Sequence, residues 1–279
     1  MANGKSEAKR LDSLPAKLRV APGERVKLRD EDASRDHGWD EAAARAQTAK
    51  LREELGELQY KLYADGRQAL LVVLQAIDGG GKDSTTRHVI SAFNPQGCTV
   101  TAFKAPSAEE LKHDYLWRVH RHVPAKGEIA VFNRSHYEDV LVVRVDNLVP
   151  REVWSERYQQ INEFERLLRA ADTHVVKIFL HISRDEQKRR FRERIDDPTK
   201  QWKFDPADLI KRTQWKAYMS AFEDMLEKCS TTHAPWHIVP GDHKWLRDLA
   251  VAQILKEALA ALPLRFPQPS YDPKSIRLD

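Results

Sequence analysis

One segment of the chain has glycines, a lysine and carboxylates of the types and spacing needed to hold a phosphate group. Residues 76–85 read AIDGGGKDST and lie between an apolar run and a helical pattern. Glycines let the backbone curl with its N–H groups pointing inward, and the following helix adds the positive end of its dipole. Lys82 is expected to reach the outer phosphate oxygens. The other candidates for phosphate contacts are Gly79, Gly80, Gly81, Asp83 and Ser84.

This segment, called the P-loop below, departs from the usual P-loop pattern at two positions. Ala76 stands where the first glycine is expected, and Asp83 stands where a Mg²⁺-binding Ser or Thr is expected. Asp78 lies inside the loop, where a carboxylate would repel a phosphate unless a cation lay between them. We therefore interpret Asp78 as a Mg²⁺ ligand, direct or through water. A glycine-rich turn with a solvated lysine is the alternative.

A second segment, residues 129–138, reads IAVFNRSHYE and has the position of a Walker B strand, with Asn133 in place of the usual Asp. In a P-loop kinase sheet the end of this strand lies beside the P-loop. Arg134 is therefore expected to point into the cleft and to bind a phosphate bidentately. A structural salt bridge between Arg134 and Glu138 is the alternative.

Residues 184–216 carry 11 basic and 7 acidic side chains and are broken by Pro198 and Pro206. Two basic helices joined by a proline-bounded loop are typical of a lid that closes over phosphates, supplies arginine and excludes water. Arg189 and Arg194 are the candidates that face the cleft, followed by Lys200 and Lys203. For most of the basic residues we expect only a solvated, ion-paired helix surface.

The elements that must position these side chains alternate between strands and helices. The predicted strands are residues 69–77, 99–103, 128–132, 173–182 and 236–239. The first is a continuous apolar run, which suits a strand buried on both faces. A helix is predicted from residue 82 to residue 93. Strands that alternate with helices indicate βαβ units and a parallel, doubly wound α/β sheet.

Length and charge fit an enzyme or binding protein with a full core. The chain has 279 residues, a formal net charge of +4 and 41% hydrophobic residues. We expect an N-terminal extension at 1–40, a main domain at 41–263 with its lid at about 184–216, and a C-terminal arm at 264–279. The extension is expected to lie over a domain or to stay mobile.

Several protein classes are excluded by what the sequence lacks. It has no run of about 18 apolar residues, so no transmembrane helix is expected. Residues 1–10 lack the apolar region of a secretory signal. Cys98 and Cys229 have no disulfide-scaffold or zinc spacing. The tryptophans are not interleaved with basic residues as in a nucleic-acid motif. A cytoplasmic protein without nucleic-acid or membrane partners is the resulting expectation.

Taken together, the motifs resemble the polyphosphate kinase 2 family, over about residues 41–262. The segments that carry the resemblance are residues 77–85 (IDGGGKDST), 132–140 (FNRSHYEDV), 187–191 (QKRRF), 197–204 (DPTKQWKF) and 234–236 (APW). The resemblance implies a thymidylate kinase-like P-loop fold, a three-layer αβα sandwich with a five-stranded parallel sheet and a helical lid. It also implies a homo-oligomer, a dimer or tetramer.

The same resemblance implies reversible phosphoryl transfer between inorganic polyphosphate and nucleoside mono- and diphosphates, with Mg²⁺ or Mn²⁺. AMP and ADP are the implied acceptors, with GMP and GDP as further ones, and triphosphates arise as products. Polyphosphate would need a long basic channel, which the lid and a rim at residues 118–126 are expected to line.

By the resemblance, Asp78 matches the metal-binding acid of the family, Lys82 its phosphate-binding lysine and Arg134 the arginine that holds the transferring phosphate. Arg194 matches a lid arginine. Asn133 stands where many members have a catalytic Asp. Asn133, Arg134 and Glu138 are the residues expected to bind the nucleotide. An acid at the position of Glu138 goes with acceptance of both mono- and diphosphates, in the subgroup described as class III.

Two other functions fit parts of the pattern. A nucleoside monophosphate kinase that uses ATP as donor would share the fold, the P-loop and the lid. A non-catalytic polyanion-binding protein would explain the substituted positions Ala76, Asp83 and Asn133. Asp78 speaks against the second function, because it is difficult to explain without a metal.

Overall fold

A five-stranded parallel sheet runs through the centre of the computed structural model, which describes residues 13–278. The strands are β1 (Ala69–Gln75), β2 (Cys98–Ala102), β3 (Ile129–Asn133), β4 (Thr173–His181) and β5 (Trp236–Pro240). Their spatial order is β2-β3-β1-β4-β5, and every neighbouring pair is parallel. All five predicted strands are confirmed, with ends shifted by one or two residues.

Helices connect the strands and cover both faces of the sheet. They are α1 (Leu14–Leu18), α2 (Glu41–Asp65), α3 (Lys82–His88), α4 (Trp117–His120), α5 (Val142–Val145), α6 (Arg151–Ala170), α7 (Arg184–Asp196), α8 (Ala207–Thr213), α9 (Trp215–Cys229) and α10 (Lys244–Ala260). Short 3₁₀ segments lie at Asp30–Ser34, Ile90–Ala92, Pro95–Gly97, Glu110–Lys112, His136–Val140, Gln201–Lys203 and Pro273–Ser275. Within the described residues, no helix is long and apolar enough to cross a membrane.

The central strand divides its side chains between two separate cores. All seven residues of β1 are buried, and successive side chains of a strand point to opposite faces. Leu70, Val72 and Leu74 join the core under α2 and α10. The two residues between them join the core under α6 and α9. The predicted three-layer αβα sandwich is therefore confirmed.

The helix after the P-loop is shorter than predicted. α3 ends at His88, and a 3₁₀ turn follows at Ile90–Ala92. Val89, Ile90 and Phe93 are all buried in the core under α2 and α10. The α-helix therefore ends earlier than predicted, and the 3₁₀ turn keeps all three apolar side chains on the core.

Residues 13–40, called the N-terminal strap below, follow the outer edge of β5. Val20 N–H donates to the Trp236 carbonyl at 2.9 Å, and Arg19 forms an antiparallel bridge with His237. Farther along, the carbonyl of Arg29 contacts His181 Nε2 at 2.8 Å. The strap thus lies over the main domain, and residues 1–12 fall outside the described range.

Candidate active site

The P-loop connects the end of β1 to α3 through a tight glycine turn. Gly79 and Gly81 have φ values of +82° and +102°, which favour glycine. A Cβ at Gly80 would collide with the Cβ of Ala76. Ala76 therefore fits in place of the usual first glycine, because Gly80, which packs against it, has no side chain.

Lys82 lies at the base of this loop with its ammonium group turned toward the loop backbone. Nζ donates to the Ala76 carbonyl at 2.8 Å, and the side chain is buried while still lining the main cavity. Burial, assisted by the charge of Arg134, lowers the pKa of Lys82 to about 8. A phosphate bound in the loop would therefore lie close to the Lys82 ammonium group at the base of the loop.

Asp78 and Arg134 meet at the ends of the two central neighbouring strands. Nη2 of Arg134 donates to Oδ1 of Asp78 at 2.5 Å, and Lys211 of α8 reaches Oδ2 at 3.2 Å. Burial raises the pKa of Asp78, but the charges of Lys82, Arg134 and Lys211 outweigh it and lower the pKa to about 2. Asp78 is therefore ionised at any working pH. Arg134 has a φ of +62°, a conformation uncommon for an arginine.

Asn133 and Glu138 lie next to this pair on the β3 side, and both line the cavity. Nδ2 of Asn133 donates to Oδ1 of Asp83 at 2.7 Å, so the β3 end is tied to the start of α3. Burial lowers the pKa of Arg134, but the charges of Glu138 and Asp78 raise it above its ordinary value. Glu138 is thus close enough to act electrostatically on Arg134.

Arg194, Lys200 and Lys203 line the cavity as predicted from the sequence. Nη1 of Arg194 lies 3.9 Å from Oδ2 of Asp208. Lys200 pairs with Asp197 at 2.7 Å and is half exposed. Local contacts thus hold Arg194 and Lys200, and all three cations line the cavity.

The prediction that Arg189 faces the cleft is wrong. Its guanidinium pairs with Glu186 and Glu193 on the outer side of α7, and it does not line the cavity. Arg190 takes that place, with Nη1 donating to the Gly79 carbonyl at 2.9 Å. Successive helix residues are about 100° apart, so one step along α7 exchanges the outer side for the inner one.

Three further residues contact the P-loop and were missed by the sequence analysis. Gln187 donates to the Asp78 carbonyl at 2.8 Å, Lys211 contacts the Asp78 carboxylate, and Arg247 of α10 donates to Ser84 Oγ at 3.0 Å. Gln187 could have been found, because it is one turn before Arg190 and Phe191 on the buried face of α7. No local signal marks Arg247, which lies 163 residues from Ser84.

The cavity that contains these residues has a volume of about 1450 Å³ and differs in character on its two sides. On the β4–β5 side, lining residues from α7, the lid loop and α10 are mainly basic: Arg190, Arg194, Lys200, Lys203, Lys244 and Arg247. On the β2–β3 side, apolar and aromatic residues are mixed with charges of both signs. The apolar and aromatic ones are Phe103, Tyr115, Val142, Val143, Leu148 and Val149, and the charged ones include Lys104, Glu110, Arg118, Glu138, Asp139 and Arg157. The P-loop, at the end of β1, lies between them.

The rim at residues 118–126 does not form the predicted basic channel. Arg118 lines the cavity but is held by Glu110 at 3.1 Å. Arg121 lies over the ring of Trp117, 4.7 Å from its centroid, and Lys126 pairs with Asp172 at 3.2 Å. Neither of the last two lines the main cavity. The β4–β5 side supplies the basic surface instead.

The carboxylates near the P-loop fit a magnesium ion that is bound partly by the protein and partly by phosphate oxygens of the substrate. Within residues 13–278 there is no group of three or more His, Cys, Asp and Glu residues that would form an all-protein metal cage. Mg²⁺ usually needs only one or two carboxylates, with substrate phosphates and water completing its shell. Asp78, Glu138 and Asp208 all line the cavity, and burial and the charge of Asp78 raise the pKa of Asp208.

Comparison with known proteins agrees with this geometry. The family model for polyphosphate kinase 2 (PPK2) matches residues 38–265. The AMP/ADP-polyphosphate phosphotransferase of Meiothermus ruber is 48% identical over 266 residues, which cover 94% of this chain and 99% of that protein. The ADP-polyphosphate phosphotransferase of Rhodopseudomonas palustris is 46% identical over 228 residues, 77% of this chain and 79% of that protein.

A solved structure gives the same result for the fold. The crystal structure of polyphosphate kinase 2 from Arthrobacter aurescens TC1 has a TM-score of 0.89 and 43% identity, and the match covers 93% of both chains. The P-loop kinase-like architecture and the resemblance noted from the motifs are both confirmed. The chain therefore belongs to the polyphosphate kinase 2 family.

Proposed function

We propose that this protein transfers a phosphoryl group reversibly between inorganic polyphosphate and nucleoside mono- and diphosphates. The observation that carries the proposal is the division of one cavity by the P-loop into a mainly basic side and a side on which apolar and aromatic residues are mixed with charges of both signs. A condensed phosphate needs a basic surface along its length, whereas a nucleoside needs an apolar pocket with a few polar groups. Both substrates would then meet at Asp78, Lys82 and Arg134.

In this arrangement the basic side, between α7 and α10, takes the polymer. The β2–β3 side, where apolar and aromatic residues are mixed with charged ones, takes the nucleotide. The terminal phosphate of the nucleotide would attack the terminal phosphorus of the polymer in line. The new phosphoanhydride bond forms as the old one breaks, so the reaction is reversible. Lys82 and Arg134 neutralise oxygens of the transferring group, and Arg194 approaches from the lid.

Asp78 is the first candidate ligand for Mg²⁺ or Mn²⁺, with Glu138 as the second. Such an ion, when bound, would neutralise phosphate charge and hold phosphate oxygens in place. Asp78 is suited to this role because it is ionised and lies at the mouth of the P-loop. Asp78 contacts Arg134 and Lys211, and a bound phosphate would attract both of these cations.

The nucleotides that we propose as phosphoryl acceptors are AMP and ADP, with GMP and GDP as further ones. This assignment is supported by Glu138 beside Arg134 and by the name of the Meiothermus ruber relative, an AMP/ADP-polyphosphate phosphotransferase. A homo-oligomer, dimer or tetramer, and a cytoplasmic location complete the proposal. Light scattering after size exclusion measures the oligomeric state.

The deciding assay measures ATP formation by luminescence from polyphosphate, Mg²⁺ and either AMP or ADP. Product from both acceptors, and none from the Lys82→Ala variant, is the expected result. Turnover with ATP and a monophosphate, but not with polyphosphate, would instead identify an ATP-dependent nucleoside monophosphate kinase. Salt-dependent polyphosphate binding without any turnover would identify a polyanion-binding protein.

A further inference from the structure

Arg247, in the first turn of α10, is fully buried against the P-loop and keeps one donor nitrogen without a partner. Its Nη2 donates to Ser84 Oγ at 3.0 Å and to Asp248 Oδ1 at 2.6 Å, and Nε donates to the same carboxylate oxygen at 2.9 Å. Nη1 is buried and has no hydrogen-bond partner within residues 13–278. An unsatisfied donor on a buried cation is destabilising, so anchoring of α10 alone does not account for it.

This free nitrogen is directed at the glycine that precedes Lys82. A Cβ placed on Gly81 would collide with Nη1 of Arg247 and would lie 3.4 Å from Nη1 of Arg190. The two guanidinium groups therefore converge on Gly81, one from α10 and one from α7. A residue with a side chain at this position would separate them from the loop.

The convergence brings two guanidinium groups to one side of the P-loop. Burial, together with the charge of Arg247, lowers the pKa of Arg190 although Glu186 pairs with it. Lys244, three residues before Arg247 in α10, also lines the cavity on this side. Arg190 and Arg247 are each paired with a carboxylate, so they act on the loop mainly through the N–H groups that they direct at Gly81. Such donors favour an anion held by that loop.

We propose that Arg247 is a positioning residue for the phosphate donor: it fixes the P-loop through Ser84 and directs an N–H donor without a partner at Gly81, which strengthens binding of a condensed inorganic phosphate. This inference rests on the proposed function, because it takes the ligand to be the donor of that reaction. Arg134 and Glu138 lie on the β3 side of the loop, so the nucleotide should depend far less on Arg247.

The test compares the two substrates in the variant Arg247→Met. We expect KM for polyphosphate to rise about tenfold or more, since one charge-assisted interaction is lost, while KM for ADP changes less than about threefold. The rise in melting temperature caused by inorganic tripolyphosphate should also decrease. Arg247→Lys keeps the charge beside Asp248 but lacks the second nitrogen, so an intermediate rise in polyphosphate KM is expected.

A purely structural role of Arg247 would give a different pattern. Leu255→Ala removes a fully buried side chain from the same helix and is the matched control. It should lower the melting temperature without changing KM for polyphosphate. The proposal is overturned if Arg247→Met behaves like Leu255→Ala, or if both KM values rise equally.

If Arg247→Met does not fold, Arg247→Lys becomes the deciding variant. An unchanged KM for polyphosphate in Arg247→Lys would then overturn the proposal. Failure of the proposed function is a separate outcome. It would appear as absent turnover in the unaltered protein.

Discussion

The carboxylate of Asp78 and the guanidinium of Arg134 are joined at 2.5 Å, although the two residues are 56 positions apart in the chain. Because Asp78 follows β1 and Arg134 follows β3, this contact fixes the position of both side chains. Arg134 is the group that would hold the transferring phosphate, and Asp78 is the group that would hold the metal. Binding of phosphate and metal would replace this ion pair with two similar charge-assisted contacts, so little rearrangement is needed.

Lys82→Ala and Arg134→Ala should each abolish activity while leaving the fold intact. Under the proposed function, each removes a cation that acts on the transferring phosphoryl group, and a well-placed arginine in such chemistry contributes on the order of 10³–10⁵ in rate. Luminescent ATP formation gives the rate, and circular dichroism during heating gives the stability. Arg189→Ala is the matched control, because this arginine lies on the outer side of α7 and should keep nearly normal turnover. Near-normal turnover of either site variant would contradict the assignment.

Polyphosphate binding should weaken as the pH rises through about 8, because Lys82 has a pKa of about 8 and loses its charge there. In the unfolded chain the same lysine would keep its proton up to its ordinary pKa of 10.5. Between these values the unfolded state binds more protons, so the Lys82 contribution to the free energy of unfolding increases with pH.

The pH dependence is measured as the Kd of long-chain polyphosphate at a series of pH values. Lys82→Met is the reference, and its weaker binding should not change around pH 8. An identical pH profile in both proteins would show that another group titrates.

Asp78→Asn should raise the Mg²⁺ concentration needed for half-maximal activity. Asp78 has a pKa of about 2, so it is an anion under all assay conditions, and the amide removes that charge. A rise of about tenfold or more is expected for loss of a metal-binding contact. The measurement is a Mg²⁺ titration of activity, repeated with Mn²⁺. Asp185→Asn, an exposed carboxylate of α7, controls for the general loss of one negative charge.

Glu138→Gln should reduce phosphorylation of AMP more than that of ADP. If the attacking phosphate occupies one fixed place beside Arg134, the nucleoside of AMP lies one phosphate closer to Glu138 than the nucleoside of ADP does. The loss of the carboxylate should therefore lower kcat/KM for AMP more than kcat/KM for ADP. The measured quantity is the ratio of kcat/KM values for the two acceptors, and an unchanged ratio would remove Glu138 from acceptor selection.

The sheet was predictable because each central strand is an apolar run bounded by turn residues. The P-loop and Arg134 were predictable because both follow directly after such strands. The lid arginines were harder to assign. Arg189 and Arg194 were predicted to share the cleft, yet residues five apart lie about 140° apart around a helix. Phe191 marks the inner side of α7, and a consistent helical projection from it would have selected Arg190 and Arg194.

Arg247 and Lys211 could not be predicted from local pattern. Arg247 reaches the P-loop from the last helix, and Lys211 reaches Asp78 across 133 positions of sequence. Charged side chains on amphipathic helices usually face solvent, so their types carried no signal. Their role depends on the tertiary arrangement of α8 and α10 around the ends of the strands.

The N-terminal strap also determines which sheet edges other molecules can reach. An exposed edge strand offers unpaired N–H and C=O groups that can join the strand of another chain, and proteins commonly cover such edges. Here the antiparallel bridge of Arg19 with His237 and the buried Val20 occupy that position beside β5. Proteolysis that removed the residues before Glu41 would uncover this edge and create a template for intermolecular strand pairing and aggregation.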